Sequence, residues 1–369
     1  MTDWRFEKKL GFGCMRLPMT ENKEIDEDAF REMVDAFMRE GFCYFDTARG
    51  YHGGKSETAL KACLTSRYPR DSYFLVNKLS SPFFKTQEEI LPFFESQLEA
   101  CGVDYFDLYL MHAQEKSVFE QFKSCRAYET ALELLEQGRI RHFGISFHDK
   151  ASVLEEILVE YPQIEVVQIQ FNYADYEDPS VQSRKVYEVC RRFGKPVIVM
   201  EPVKGGSLVR LPQEAQEVFD ALGGSAASYA IRFAASFEGI SMVLSGMGNM
   251  EMLRDNMSYM KDFVPLSEKE REAVARVCEI FRAQDIIPCT ACGYCLAGCP
   301  MGIPIPDLFA CFNARKTFQN WNTKYYYGIH TRKGGKASSC IGCGACEGIC
   351  PQHLPIRDLL SDVVKEFEN

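Results

Sequence analysis

The chain has 369 residues, 46% of them hydrophobic and 25% charged, the balance of an ordinary globular protein with room for one large domain and one small one. Fifty-two acidic residues against 42 basic ones leave a net charge of −10, which argues against nucleic acid as the main partner. No apolar run approaches a membrane span and MTDWRFEKKLGFG has no hydrophobic signal region, so a cytoplasmic protein with no membrane partner is expected.

Residues 1 to about 260 alternate short apolar runs with amphipathic stretches. The predicted strands are LGFGCMRL, CYFDTA, YFLVNKL, FDLYLMH, IRHFGISF, VVQIQFN, PVIVMEPV and SMVLSGM. Between them, DEDAFREMVDAFMREG has apolar residues at helical spacing and closes on Gly41. TQEEILPFFESQLEACG opens with Thr86 and Glu89 as a capping box and closes on Gly102. YETALELLEQG, KASVLEEILVEY, SVQSRKVYEVCRRFG and AASYAIRFAAS follow in the same rhythm. Eight strand–helix repeats in about 250 residues predict a closed (β/α)8 TIM barrel over 1–265, with chemistry at the C-terminal ends of the strands. A connecting helix over 266–287 opens on Ser267 and Glu270. A small, mainly helical ferredoxin-like domain over 288–369 follows, with helices at IPDLFACFNARKTFQ and PIRDLLSDVVKEFEN.

That last region holds two cysteine tetrads, each spaced C-x2-C-x2-C-x3-C and ending in proline. They are Cys289, Cys292, Cys295 and Cys299, then Cys340, Cys343, Cys346 and Cys350. A cubane needs four soft thiolates converging on its iron corners, and this spacing suits two [4Fe–4S] clusters. In two-cluster ferredoxins the fourth cysteine of each run serves the other cluster. The expected sets are therefore Cys289, Cys292, Cys295 with Cys350, and Cys340, Cys343, Cys346 with Cys299. Paired C-x2-C steps also bind zinc, but the third in-phase cysteine, the C-P ending and the duplication favour clusters. The other eight cysteines, scattered without ligand spacing, read as small buried hydrophobes.

A second constellation lies at strand ends: Asp46 in CYFDTA, Tyr51 in the next loop, Lys78 in YFLVNKL and His112 in FDLYLMH. FDTARGYHGGKSE, followed by these lysine and histidine strands, resembles the signature of the aldo-keto reductases over residues 1 to about 260. The resemblance implies reduction of a small-molecule carbonyl with hydride from NAD(P)H and Tyr51 as proton donor. Lys78 would lower the tyrosine pKa, Asp46 would hold Lys78, and His112 would orient the carbonyl oxygen. It also implies cofactor contacts from Ser146, Gln168, Met200, Ser245, Gly246 and Asn256. Met200 stands where many members stack a tyrosine on the nicotinamide. The basic pair that holds the 2′-phosphate in many members falls on Gly246 and Met252, with Lys204 and Arg254 nearby. Arg49 and His52 flank Tyr51 and read first as solvated loop charges, with a grip on an acidic substrate as the alternative. Lys116, Arg126 and Tyr128, in the loop after His112, are expected to help set substrate choice.

The whole chain resembles aldo-keto reductases that carry a C-terminal ferredoxin module. Hydride moves two electrons and each cluster moves one, so joining them calls for a carrier such as a flavin, of which the sequence shows no motif. The leading reading is an iron-sulfur oxidoreductase whose clusters link the site to ferredoxin or another electron-transfer protein. The alternatives are an NAD(P)H carbonyl reductase with structural or oxygen-sensing clusters, and a non-catalytic electron-transfer adaptor.

Overall fold

The computed structural model describes residues 4, 6–178, 181–282, 286, 287, 289, 293–318, 322–350 and 354–369. Eight parallel strands close in sequence order into a barrel: β1 (Leu10–Gly13), β2 (Tyr44–Asp46), β3 (Phe74–Leu79), β4 (Phe106–Gln114), β5 (Ile140–Phe147), β6 (Val166–Gln170), β7 (Val197–Met200) and β8 (Ile240–Ser245), with β8 pairing back to β1. All eight predicted strands form. Each is rich in β-branched and aromatic residues buried on both faces, as strands of a covered parallel sheet must be.

The intervening segments are helical where apolar residues recur at three and four. In Glu27–Arg39 the buried positions are Phe30, Met33, Val34 and Phe37, and the Asp26 carboxylate caps the first turn by accepting from Ala29 N–H. The capping box at Thr86 does not form. Its side chain makes no cap, and Glu89 accepts instead from Lys85 N–H at 2.6 Å, so a 3-10 turn over Gln87–Glu89 precedes the helix Ile90–Cys101.

Period two along the strands divides outward from inward residues. Tyr44, Val76, Leu108, Leu110, Val166, Ile198, Met242 and Leu244 form the barrel interior, with Trp4, Phe6 and Phe74 packed against it. Two glycines let the rows close: a Cβ at Gly11 would lie 2.6 Å from Leu244, and one at Gly144 would lie 2.6 Å from the Val166 carbonyl oxygen. Two residues further along β2 to β6 the same inward rows turn polar. Tyr44 gives way to Asp46, Val76 to Lys78, Leu110 to His112, Gly144 to Ser146 and Val166 to Gln168. The apolar plug therefore ends where the polar site begins.

The chain packs as two compact units. The first comprises Met1–Tyr173, Ser183–Pro202 and Ala227–Glu268, and the second Ala174–Gln182, Val203–Ala226 and Lys269–Asn369. The second unit thus takes in two segments that lie inside the 1–265 span. Its core includes Val181, Ile305, Leu308, Phe309, Tyr327, Leu360 and Val363. The helices Ile305–Phe318, Asn322–Thr331 and Ile356–Phe367 supply most of it, and Tyr327 stacks on Phe367 with ring centroids 4.6 Å apart. Among the described residues, no helix is long and apolar enough to cross a membrane.

Candidate active site and cluster site

Strand geometry brings Asp46, Lys78 and His112 to the C-terminal ends of neighbouring strands β2, β3 and β4. Tyr51 follows β2 in a tight turn over Tyr51–Gly54, where His52, Gly53 and Gly54 all have positive φ. Hydrogen bonds from Thr47 Oγ1 to Ser56 Oγ (2.8 Å) and from Ser56 Oγ to Cys14 O (3.0 Å) anchor the base of that turn.

Lys78 is fully buried. Its Nζ donates to Asp46 Oδ1 at 2.5 Å and to Thr47 O at 2.8 Å, and lies 5.0 Å from the centre of the Tyr51 ring. Burial by itself would lower the Lys78 pKa, but the Asp46 carboxylate and Tyr51 more than offset it, and the ammonium is held above its ordinary range. Gln168 Nε2 donates to Asp46 Oδ2 at 3.0 Å, so both carboxylate oxygens are engaged.

Burial pushes the Tyr51 phenol above its ordinary range, against the downward pull of Lys78. The ammonium acts in the expected sense, but desolvation of the phenolate outweighs it. The Tyr51 and His112 rings meet edge to face with centroids 6.2 Å apart. His112 Nδ1 shares a 2.6 Å hydrogen bond with Ser80 Oγ. Burial, then the charges of Lys78 and His148, hold the His112 pKa well below the usual imidazole range, so the ring is neutral at neutral pH. Beyond it, Ala113 has φ of +52° and its N–H donates to Ser146 Oγ at 2.8 Å, at a register shift in β4.

In the second unit, Cys299, Cys340, Cys343 and Cys346 line one cavity with Ile303, Ile305, Leu360 and Arg357. These four, from both tetrads, are the set that ferredoxin pairing places on one cluster. Four cysteines on one cavity supply the soft thiolate chemistry that an iron-sulfur cluster takes. Cys289, Cys295 and Cys350 pack against the same core. Cys292 lies outside the described residues. Each tetrad has a glycine at its fifth position, Gly293 and Gly344, with φ of +79° and +74°, and a one-turn helix follows each. Left-handed backbone there turns the chain between the second and third cysteines, and glycine adopts it without strain.

The profile of the aldo/keto reductase family matches residues 9–279. The chain belongs to the aldo/keto reductase family. A 4Fe-4S dicluster domain matches residues 288–354 of this aldo/keto reductase, which is an oxidoreductase. Among curated relatives, a D-galacturonate reductase of Fragaria ananassa is 26% identical over 293 residues, 73% of this chain and 86% of that one. An aldo-keto reductase of Mycobacterium sp. (strain KMS) is 28% identical over 229 residues, 61% of this chain and 74% of that one. Among solved structures, an aldo-keto reductase from Klebsiella pneumoniae in complex with NADPH superposes with a TM-score of 0.59 at 18% identity, covering 73% of this chain and 90% of that one. The holo form of one from Bacillus halodurans gives 0.58 at 22%, covering 73% and 91%. At these identities the structural likeness shows the fold.

In this aldo/keto reductase, Ser245 ends β8 and accepts from Asn256 Nδ2 at 2.7 Å, while Asn256 Oδ1 accepts from Tyr259 OH. Gly246 follows, packed beside the aliphatic stem of Arg16, a cation the sequence did not single out. Met200 ends β7 half-buried. Lys204 is buried in an ion pair with Asp175, so its charge is already matched.

Several side chains have other roles than the sequence suggested. Arg49 is held within the protein: its Nε pairs with the buried Glu57 carboxylate at 2.5 Å and its Nη2 donates to Ser96 at 3.0 Å. Glu57 in turn accepts from Asn77 and Gln97, and Gln97 also donates to the Lys78 carbonyl. His52 Nε2 accepts from Leu17 N–H at 3.3 Å. Tyr128 is core rather than substrate loop, with its hydroxyl donating to Gln114 Oε1. Lys116 pairs with Glu120 and Glu156, and Arg126 forms the left-handed entry to the helix Ala127–Glu136. Ser80 and the Glu57 network went unseen because their partners are 20 to 40 residues away in sequence.

Proposed function

We propose that this protein reduces a small-molecule carbonyl, with Tyr51 as proton donor and with iron-sulfur clusters that exchange electrons with a one-electron partner. The observation that carries it is the buried Lys78 ammonium, held by Asp46 and set against the Tyr51 ring. NAD(P)H, when bound, supplies the hydride to the carbonyl carbon. As charge grows on the carbonyl oxygen, Tyr51 gives it a proton, and the alcohol forms. Lys78 stabilises the phenolate left behind and so works against the burial that raises the phenol pKa, without cancelling it. His112 is neutral and shares its Nδ1 with Ser80 Oγ; in the tautomer where Ser80 donates, the proton sits on Nε2 and that donor is directed at the oxygen.

Ser146, Gln168, Met200, Ser245, Gly246 and Asn256 line the nicotinamide and phosphate path in this reading. The Klebsiella structure bound to NADPH supports a phosphorylated nucleotide, for which Arg16, packed beside Gly246, is the candidate cation, with Arg254 as the one the sequence offers. Cys289, Cys292, Cys295 and Cys350 hold one cluster, and Cys299, Cys340, Cys343 and Cys346 hold the other. Coupling them to hydride transfer calls for a flavin or similar carrier between the two-electron and one-electron steps.

Two measurements test this. Tyr51→Phe should lower kcat for NADPH-dependent reduction of an aldehyde panel that includes methylglyoxal, the named substrate of one relative, by about 10²–10⁴-fold with the fold intact. Unchanged turnover would exclude Tyr51 as the donor. Anaerobic protein should lose the broad absorbance near ~400 nm when NADPH is added. Bleaching by dithionite but not NADPH would disconnect the clusters from the nucleotide.

A further inference from the structure

One stretch of the second unit carries a local excess of positive charge. From Leu308 to Cys346 the sequence has six basic residues and no acidic one, in a chain of net charge −10. Arg315 and Lys316 are turned toward Glu366. Arg332, Lys333 and Lys336 are exposed, on the stretch that leads into Cys340. That stretch is pinned beside the thiol cavity. Gly335 N–H donates to Gly302 O at 3.0 Å, and a Cβ at Gly335 would come within 2.4 Å of Met301 O.

Met301 and Ile341 line the cavity together with Cys343. Ile341 is 64% exposed and Met301 40%, and Cys343 is exposed. Both side chains line the cavity, and the stretch that bears the three cations hydrogen-bonds to Gly302, next to Met301. An apolar centre with a charged rim is the anatomy of a protein contact rather than of a small-molecule pocket.

We propose that this surface docks an acidic one-electron carrier protein, which exchanges electrons with the cluster held by Cys299, Cys340, Cys343 and Cys346. The proposal rests on the reading of those thiols as cluster ligands. Charge complementarity selects the occupant: Arg332, Lys333 and Lys336 attract a carboxylate-rich face, and Ile341 and Met301 give it a dry centre next to the surface thiol. Each exchange moves one electron. The carrier is oxidised by one as the cluster core is reduced by one, and no bond forms or breaks. Such encounters are brief and small, so opposite charge acts mainly on the rate of association.

The test uses the anaerobic full-length holoprotein, with dithionite-reduced, desalted acidic ferredoxin as the probe and stopped-flow absorbance as the readout. The second-order rate constant should fall at least about tenfold between low salt and ~0.3 M salt. The double variant Lys333→Glu/Lys336→Glu should exchange about tenfold more slowly at low salt and speed up as salt is added. The neutral pair Lys333→Gln/Lys336→Gln should fall between. Iron content and the paramagnetic signal of the dithionite-reduced protein should match wild type in both. A wild-type rate indifferent to salt, or variants with full iron that exchange as fast as wild type, overturns the docking site. Protein that holds no iron, or whose clusters dithionite cannot reduce, overturns the cluster reading itself. That case is distinguishable, because no exchange then occurs at any salt concentration.

Discussion

Asp46→Asn tests whether the barrel depends on its buried ion pair. The substitution keeps the shape of the side chain and an acceptor, so no cavity opens. It removes the negative charge 2.5 Å from Lys78 Nζ, and both side chains are at most 4% exposed. Breaking a buried pair by removing one partner typically costs about 3–5 kcal/mol. A ceiling comes from the escape open to Lys78, which can release its proton. Neutralising a lysine at pH 7 from an ordinary pKa of about 10.4 costs about 4.6 kcal/mol. The expected loss is therefore about 4 kcal/mol, or roughly 10 °C in the thermal midpoint.

The sign of the pH dependence separates this from a packing defect. In the wild type the Lys78 pKa is raised, so its contribution is full below about 10.4 and is lost as pH climbs through the folded value. In the variant burial outweighs the remaining support from Tyr51, and the folded pKa drops below the unfolded one. The unfolded chain then binds more protons, so the variant gains stability as pH rises toward about 10.4. Anaerobic urea unfolding at pH 7 and pH 9.5, followed by far-ultraviolet circular dichroism, reads both effects. A loss under about 1 kcal/mol, or one that is the same at both pH values, would refute the reasoning.

Other outcomes follow from the same geometry. Ser80→Ala should lower kcat about tenfold with little change in KM, since His112 loses the partner that fixes its tautomer; an equal fall in a Ser80→Thr variant would argue for packing instead. His112 and His148 both have pKa values lowered by burial, His148 to about 4, so the unfolded chain takes protons that the folded one refuses and stability should fall as pH drops below about 6.5. Stability that holds flat from pH 7 to 5 would contradict this. Gly144→Ala forces a methyl against the Val166 carbonyl oxygen and should destabilise by about 1–3 kcal/mol in urea unfolding, where a neutral result would mean that β5 can shift. Cys343→Ala should lower iron content by about half with the barrel unfolding unchanged, on the assignment of two four-iron clusters; full iron retention would remove Cys343 from the ligand set.

The sequence by itself determined the barrel, because the signals for it are local. A strand shows its period of two and a helix its spacing of three and four within a few residues, and eight alternations leave little but a closed parallel sheet. The same period placed Asp46, Lys78 and His112 on inward rows at strand ends. The cysteine tetrads were legible because ligand chemistry dictates their spacing. Only the tertiary structure decided what depends on long-range neighbours. It set Ser80 against His112, gathered Asn77 and Gln97 on Glu57, and buried Tyr128. It also reversed the net shift at Tyr51, since the charge of Lys78 could be read from the sequence but the depth of burial that outweighs it could not. Desolvation is a property of everything packed around a group, and no spacing along the chain encodes it.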